Sequence, residues 1–284
     1  MSTAQNLPSE AEIIIIGGGI VGCSIAYHLA KKGVKDVVLL ERKQLTCGTT
    51  WHAAGLVSML WPTPTLTNLA KYCHELYASL ESETGQATGY KRIGSVSLAR
   101  NSERLEELQR TSSMAKVFGV ASQMINNQEL EALYPGINTE GVIGSLYVEK
   151  DGQTNPIDTT MALAKGARAL GVQIIENTKV DDILLDDDKA IGVRCAEGSI
   201  KGKKIILTGG LWSREIAKKI GIKLPLYACE HYYVVTEAMP KLTSRPVMRD
   251  FDKGIYFKED AGKMLIGWFE KNAIGCPMTR IRED

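Results

Sequence analysis

The chain lacks a sizeable net charge, a CxxC pair, a hydrophobic run long enough for a membrane, and any Lys or Arg among its first eleven residues. With 34 basic and 33 acidic residues the formal charge is +1, so no global field draws nucleic acid or anionic lipid. Nucleic-acid binding is disfavoured on that ground. The six cysteines, Cys23, Cys47, Cys73, Cys195, Cys229 and Cys276, are scattered, which suggests neither a zinc knuckle nor a disulfide framework and fits a reducing compartment. The apolar run at 13–16 is far short of the ~20 residues of a membrane span. A start without basic residues argues against a secretory signal and against an Arg-rich transit peptide. The expectation is a protein of the cytoplasm or of a mitochondrial matrix, with no membrane partner and no metal.

What is present reads as globular. The 284 residues are 44% hydrophobic and 24% charged, enough for one large core or two interleaved domains. Residues 12–16 form a β-branched run, 20–32 have helical periodicity ending at Gly33, and 36–40 are a second apolar run closed by Glu41. Parallel strands buried on both faces have this texture.

A different texture follows. Leu66, Leu69, Tyr72, Cys73, Leu76, Tyr77 and Leu80 are spaced as one face of a helix over 65–84, whose tyrosines are expected in the core. Residues 90–99 alternate as a strand, and 102–117 read as a charged surface helix. Asn155-Pro156 supplies an N-cap followed by proline at the first helical position, opening a helix to Leu170 before Gly171. Strands are expected at 172–175, 179–185, 191–195 and 204–207, with turns at the solvated acidic triplet 186–188 and at Glu197-Gly198. Thr208-Gly209-Gly210 and a helix over 212–220 repeat the strand, glycine, helix order. Strand texture returns at 226–235, 255–257 and 264–268.

Three glycines carry physical roles. Gly17 permits the strand-to-helix turn, Gly19 lets backbone approach a pyrophosphate, and Gly22 allows close helix packing, with the phosphate at the positive helix end. Glu41 stands about 20 residues beyond, where a carboxylate accepts from ribose hydroxyls and disfavours a 2′-phosphate. Strand, glycines, helix, strand and acid in order make a dinucleotide site. A nicotinamide enzyme usually continues with regular βα units. Here 42–55 is a long Gly/Thr-rich segment that would run under the cofactor towards its ring end, which favours FAD and places His52 beside it.

These residues also carry a resemblance. Residues 13–22, 37–41, Cys47-Gly48-Thr49-Thr50-Trp51-His52-Ala53-Ala54-Gly55-Leu56, Asp151-Gly152 with Asn155-Pro156, 205–212, 227–236 and 246–250 resemble the FAD-dependent glycine-oxidase and D-amino-acid-oxidase superfamily, within it the sarcosine and dimethylglycine dehydrogenase group. The resemblance implies an α/β fold: a Rossmann-like FAD-binding domain (12–90 and 151–224) interleaved with an α+β substrate domain (91–150 and 225–284) that is truncated at the C-terminus. It implies FAD held by Gly17, Gly19, Gly22, Glu41, Arg42, Thr49, Thr50, Val180, Gly209 and Gly210, and bonded covalently through His52 in an intact TWHAAG motif. A neutral imidazole is a competent nucleophile towards the electron-poor flavin 8α carbon.

The implied reaction is oxidative demethylation of an N-methylated glycine by hydride transfer to flavin, with electron-transfer flavoprotein as acceptor. An FAD amine oxidase using oxygen is an alternative, because no residue decides between acceptors. His231, Tyr233 and Tyr256 are the catalytic candidates, and an aromatic-rich core strand with one hydrogen-bonded histidine is the competing reading of the first two. Arg249 is a candidate for the substrate carboxylate, with pairing to Asp250 or Glu259 as its alternative. Members of this group continue for several hundred residues into a folate-binding half absent from this chain, so the chain alone is expected to bind FAD poorly and turn over little. Two rival readings are a non-catalytic regulatory flavoprotein resembling the regulatory subunit of pyruvate dehydrogenase phosphatase, against which His52 argues, and an NAD-dependent dehydrogenase with an unusual insertion.

Overall fold

The computed structural model describes residues 7–239, 242 and 244–281. Three sheets and six α-helices are built from elements that fall, in chain order, as β1 (Glu10–Ile16), α1 (Ile20–Lys31), β2 (Val37–Leu40), β3 (Leu56–Val57), α2 (Pro64–Thr84), β4 (Lys91–Arg92), β5 (Ser95–Ala99) and α3 (Ser102–Val117). Then come β6 (Gln123–Ile125), α4 (Asn127–Leu133), β7 (Gly144–Val148), β8 (Gly152–Gln153), α5 (Pro156–Ala169), β9 (Gln173–Ile175), β10 (Val180–Asp186), β11 (Lys189–Cys195) and β12 (Gly198–Leu207). A 3-10 turn at Gly210–Trp212, α6 (Ser213–Lys219), β13 (Tyr232–Val235), β14 (Val247–Asp250), β15 (Ile255–Asp260) and β16 (Lys263–Trp268) follow, with a last 3-10 turn at Met278–Arg280.

The first sheet has the order β10-β11-β12-β1-β2-β9, with β12, β1, β2 and β9 parallel and β10, β11 and β12 an antiparallel meander. β1 is buried on both faces, as its unbroken Ile run requires. Ile13 and Ile15 pack with α1, α5 and the Leu76 and Leu80 end of α2, while Ile14 and Ile16 pack with Val180, Val193 and Ile200. Asn155 caps α5 through its side chain, accepting from the Ile157 and Asp158 amides ahead of Pro156. Gly166 keeps the α1–α5 crossing close, since a Cβ there would meet the Tyr27 ring at 2.7 Å.

The second sheet runs β13-β16-β15-β14-β5-β7-β6, antiparallel except for the β14–β5 pair. Val96, Leu98, Met248, Met264 and Leu130 fill its covered face. A three-stranded sheet, β3-β8-β4, joins the segment after His52 to the lead into α5.

Several expectations are corrected. The strand expected over 90–99 is two strands, broken at Gly94, which has φ +79°. The helix expected over 212–220 begins as a 3-10 turn and becomes α-helical at Ser213. Of the strand expected over 226–235 only Tyr232–Val235 pairs in a ladder, beyond an isolated bridge at Cys229. The face of α2 is rotated: Thr67, Ala70, His74, Leu76 and Leu80 are buried, while Leu66, Leu69 and Tyr72 are exposed. Tyr72 is therefore no core residue, and its hydroxyl meets His28 Nε2 at 2.7 Å. The side turned inward packs on α5 and carries Leu76 and Leu80 together with His74, whose Nδ1 meets the Tyr90 hydroxyl.

Candidate functional site: a dinucleotide cleft and an adjoining sheet face

The strand-to-helix turn is built as the glycine spacing demands. Gly17 has φ +111°, and a Cβ on it would lie 2.6 Å from the Thr208 carbonyl oxygen; a Cβ on Gly22 would lie 2.0 Å from the Gly17 oxygen. Thr208 donates its hydroxyl to the Ile16 carbonyl at 2.8 Å and so holds the two loop tips together. Gly19 is the N-cap of α1 and gives the helix no side-chain cap; the Ile20 amide donates to Thr50 Oγ1 at 3.1 Å, and the remaining first-turn amides are oriented for an external anion.

At the end of β2 the buried Glu41 accepts from the Gly18 amide through Oε2 (2.7 Å) and from the Lys43 amide (3.0 Å) and the Cys47 thiol (3.3 Å) through Oε1. A carboxylate has about four lone-pair sites, so these donors fix its orientation and leave capacity for a ribose hydroxyl. Burial, with the Glu41 charge beside it, pushes the Cys47 thiol up to about 11.

A cleft of about 380 Å³ runs past these groups. Gly17, Gly19, Glu41, Arg42, Thr49, Thr50, Val180, Gly209 and Gly210 all line it. The Arg42 guanidinium lies 3.8 Å from the centroid of the Trp212 indole on one wall. Glycines whose Cβ would collide with backbone, a helix start whose N-cap glycine supplies no side chain, and an oriented buried acid fit the pyrophosphate and ribose of a dinucleotide. Gly22 is not on the wall; it packs under the turn. His52 is also off the wall: it is exposed, lies against Trp51 with ring centroids 3.7 Å apart and the rings tilted by 37°, and meets the Gly48 carbonyl at 3.3 Å through Nδ1. It stands two residues beyond Thr50, the last cleft-lining residue of that segment.

The second sheet presents a cross-strand row. Tyr233 pairs with Gly267, Gly267 with Tyr256, Tyr256 with Arg249, and Arg249 with Ser97. Opposed residues share a face, so the three side chains on either side of Gly267 project together. Gly267 is what makes room: a Cβ there would lie 2.1 Å from the Tyr256 ring. His231 stacks on Phe269 (4.4 Å, 17°), with Nε2 at 3.5 Å from the Tyr256 hydroxyl and Nδ1 at 3.7 Å from a Glu270 oxygen. Burial raises the Tyr256 phenol, and Tyr233 adds to the effect.

Two cations tie this face to the segment that follows His52. Arg249 donates to Ser58 Oγ at 2.5 Å, and its guanidinium lies 4.0 Å from Asp151. Burial pulls its pKa down and Asp151 opposes that shift. The expected alternative, pairing with Asp250 or Glu259, is corrected: Asp250 is held by Arg100 at 2.6 Å, and a Glu259 oxygen accepts from the Gly262 amide. Lys258, two residues along β15 from Tyr256, is buried and donates to the Ala54 carbonyl at 2.8 Å and the Thr154 carbonyl at 3.4 Å. Burial pulls its pKa below the usual lysine value.

Lys258, Cys47, Trp212, Ser58 and Glu270 were not among the expected site residues. For Lys258 a signal existed, because its two-residue spacing from Tyr256 puts both on one face of a strand. The others carry none. Among the described residues no group of three or more His, Cys, Asp or Glu could hold a metal, and no helix is long and apolar enough to cross a membrane.

Residues 12–282 match the model of the FAD dependent oxidoreductase (DAO) family. The chain is 40% identical over 279 residues to 4-methylaminobutanoate oxidase (formaldehyde-forming) of Paenarthrobacter nicotinovorans, covering 97% of this chain and 34% of that protein. It is 38% identical to human mitochondrial sarcosine dehydrogenase, covering 95% of this chain and 30% of the relative. Among solved structures, L-proline dehydrogenase from P. horikoshii superposes with a TM-score of 0.89 at 27% identity, over 96% of this chain and 72% of that one. The chain thus spans about a third of the length of these curated relatives.

Proposed function

This chain belongs to the DAO family of FAD dependent oxidoreductases, and from that premise we propose that it carries the FAD-binding part and a portion of the substrate-binding part of an amine dehydrogenase. Its substrates are N-methylated glycines such as sarcosine or dimethylglycine. The FAD-binding part comprises 12–90 and 151–224, and the substrate part 91–150 and 225–284. The observation that carries the reading is the row of Tyr233, Tyr256 and Arg249 beside Gly267, tied through Ser58 and Ala54 to the segment that leaves the dinucleotide cleft.

In this reading Gly17, Gly19, the start of α1 and Glu41 hold the pyrophosphate and ribose, with Arg42, Thr49, Thr50, Val180, Gly209 and Gly210 along the rest of the cleft. His52 anchors the flavin covalently. FAD, when bound, would supply the hydride acceptor for the substrate N-methyl C–H bond. The chain's own groups prepare that transfer. Arg249 receives the carboxylate and fixes the substrate's orientation. His231 takes one proton from the substrate ammonium, relayed through the Tyr256 hydroxyl 3.5 Å from its Nε2, which leaves the nitrogen lone pair free to form the imine as hydride departs. Water then converts the imine to formaldehyde and the demethylated amine. Electrons pass to electron-transfer flavoprotein, and a mitochondrial matrix suits that partner.

The test is spectroscopic and kinetic. The chain is purified with FAD, precipitated in acid, and its flavin measured in pellet and supernatant for the parent and for His52→Ala. Turnover is followed with an artificial electron acceptor on sarcosine, dimethylglycine and 4-methylaminobutanoate. Acid-stable flavin that disappears in His52→Ala supports the anchor, and unchanged acid-stable flavin in that variant refutes it. Because the chain alone is expected to bind FAD poorly, flavin is also sought in a protein of the curated relatives' full length, and its absence there removes the whole reading.

A further inference from the structure

We propose that Lys258 is the positioning residue that sets the His52 segment against the cleft; the inference rests on His52 being the flavin anchor. Lys258 sits in the middle of β15, where its neighbour in the sheet is Leu265, an apolar residue of ordinary strand character. A buried ammonium is unfavourable there unless its donors are satisfied. Lys258 does not satisfy them with a close carboxylate: Asp260 stands off at 3.9 Å and is half exposed. Its short contacts are instead two carbonyls from two other segments, Ala54 and Thr154.

Those two carbonyls mark where the His52 segment is fastened. From Gly48 to Ala53 the backbone turns back on itself, bonding His52 to Gly48 and the Ala53 amide to the Thr50 carbonyl. Its N-terminal side is held to the glycine turn, by Thr46 N–H to the Gly18 carbonyl and by Thr50 Oγ1 accepting from the Ile20 amide. Its C-terminal side is held by Gly55, whose carbonyl accepts from Thr154 N–H, and by Lys258 on Ala54. Gly55 has φ +74° and passes so close that a Cβ would lie 2.1 Å from the Thr154 oxygen. Lys258 therefore joins the substrate-facing sheet, the lead into α5 and the residue two beyond His52 at one nitrogen. Without it the imidazole keeps its own internal contacts and the chain stays pinned at Gly55, but Ala54, the nearest fastened residue on the C-terminal side of His52, is released.

The test uses the whole chain with Lys258→Met, which keeps the length and removes the donors, and Lys258→Gln, which restores two N–H donors. Amide hydrogen exchange of the apo chain is read over residues 50–55. Total bound flavin and the acid-stable fraction are then read after incubation with FAD. Lys258→Met is expected to speed exchange over 50–55 at least tenfold, with α1 and α5 unchanged. It is also expected to lower the acid-stable fraction at least fivefold while reversible FAD binding stays within twofold, with Lys258→Gln between the two. Unchanged exchange over 50–55 overturns the proposal. So does a parallel fall in reversible and acid-stable flavin, which marks a merely structural lysine. If the parent chain carries no acid-stable flavin, the covalent reading fails, and the exchange measurement alone decides whether Lys258 positions the segment.

Discussion

Asp151 is the residue whose removal tests the site most directly. It is 2% exposed; one oxygen accepts from the Met59 amide at 2.7 Å, the other from the Ser95 hydroxyl at 2.6 Å, and Arg249 stands 4.0 Å away. Asp151→Asn keeps the shape and the acceptor for Met59, and Ser95 can rotate to accept from the new amide. What is lost is the charge opposite Arg249. Two unit charges at that separation interact by about 4 kcal/mol at an effective dielectric of 20, and the guanidinium's partial access to solvent reduces the expected destabilisation to about 2 kcal/mol. Asp151→Ala also strands the Met59 N–H and the Ser95 hydroxyl, so the expected loss is about 3–5 kcal/mol. Urea unfolding followed by tryptophan fluorescence measures both. The pairing is isolated by adding Arg249→Met: the double variant should be at least about 1 kcal/mol more stable than the summed single losses predict. Additive losses, or an Asp151→Asn chain within about 0.5 kcal/mol of the parent, would refute the account of Arg249 as a guanidinium held in place by Asp151.

Two further outcomes follow from the geometry. Gly22→Ala must open the turn, because the new Cβ falls 2.0 Å from the Gly17 oxygen; a loss of about 3 kcal/mol or more is expected with overpacking of this severity, together with loss of flavin binding, and a parent-like melting curve would show the crossing to be looser than described. His74 is fully buried, its Nδ1 meets the Tyr90 hydroxyl at 2.5 Å, and burial depresses its folded-state pKa below the unfolded value near 6.5. The unfolded chain therefore binds that proton more readily, so the stability contribution is complete above pH 6.5 and falls as acid is added, by at most about 1.4 kcal/mol per pH unit. His74→Gln removes the titration, and the stability difference between parent and variant should change between pH 7.5 and 5; a constant difference across that range would sink the assignment.

The parts legible in the sequence are those in which backbone shape, and not side-chain direction, carries the information. Gly17, Gly19 and Gly22 declare themselves because a side chain at Gly17 or Gly22 collides with main chain, and Asn155-Pro156 because a helix start has few ways to satisfy its amides. The α2 face misled for the opposite reason. Leucine spacing identifies an apolar stripe, but the buried stripe also takes in His74, whose partner Tyr90 lies sixteen residues on and outside any helical period. The catalytic candidates were named individually, yet what groups Tyr233, Tyr256 and Arg249 is the register of three strand pairs, and register depends on the Gly267 gap into which Tyr256 folds. Arg249 could not be matched to Asp151 from sequence, since its acidic neighbour Asp250 was the obvious partner and alternation along β14 sends that neighbour to Arg100. Lys258 shows the same logic in reverse. Period-2 spacing from Tyr256 puts it on the Tyr256 side of the strand, where a buried cation has to find acceptors, and the nearer of the two it finds, the Ala54 carbonyl, belongs to the segment that carries His52. The cleft and the sheet face are thus connected by side chains whose meaning exists only once both folds are assembled, which is why a substitution in β15 is expected to register at a histidine two hundred residues earlier in the chain.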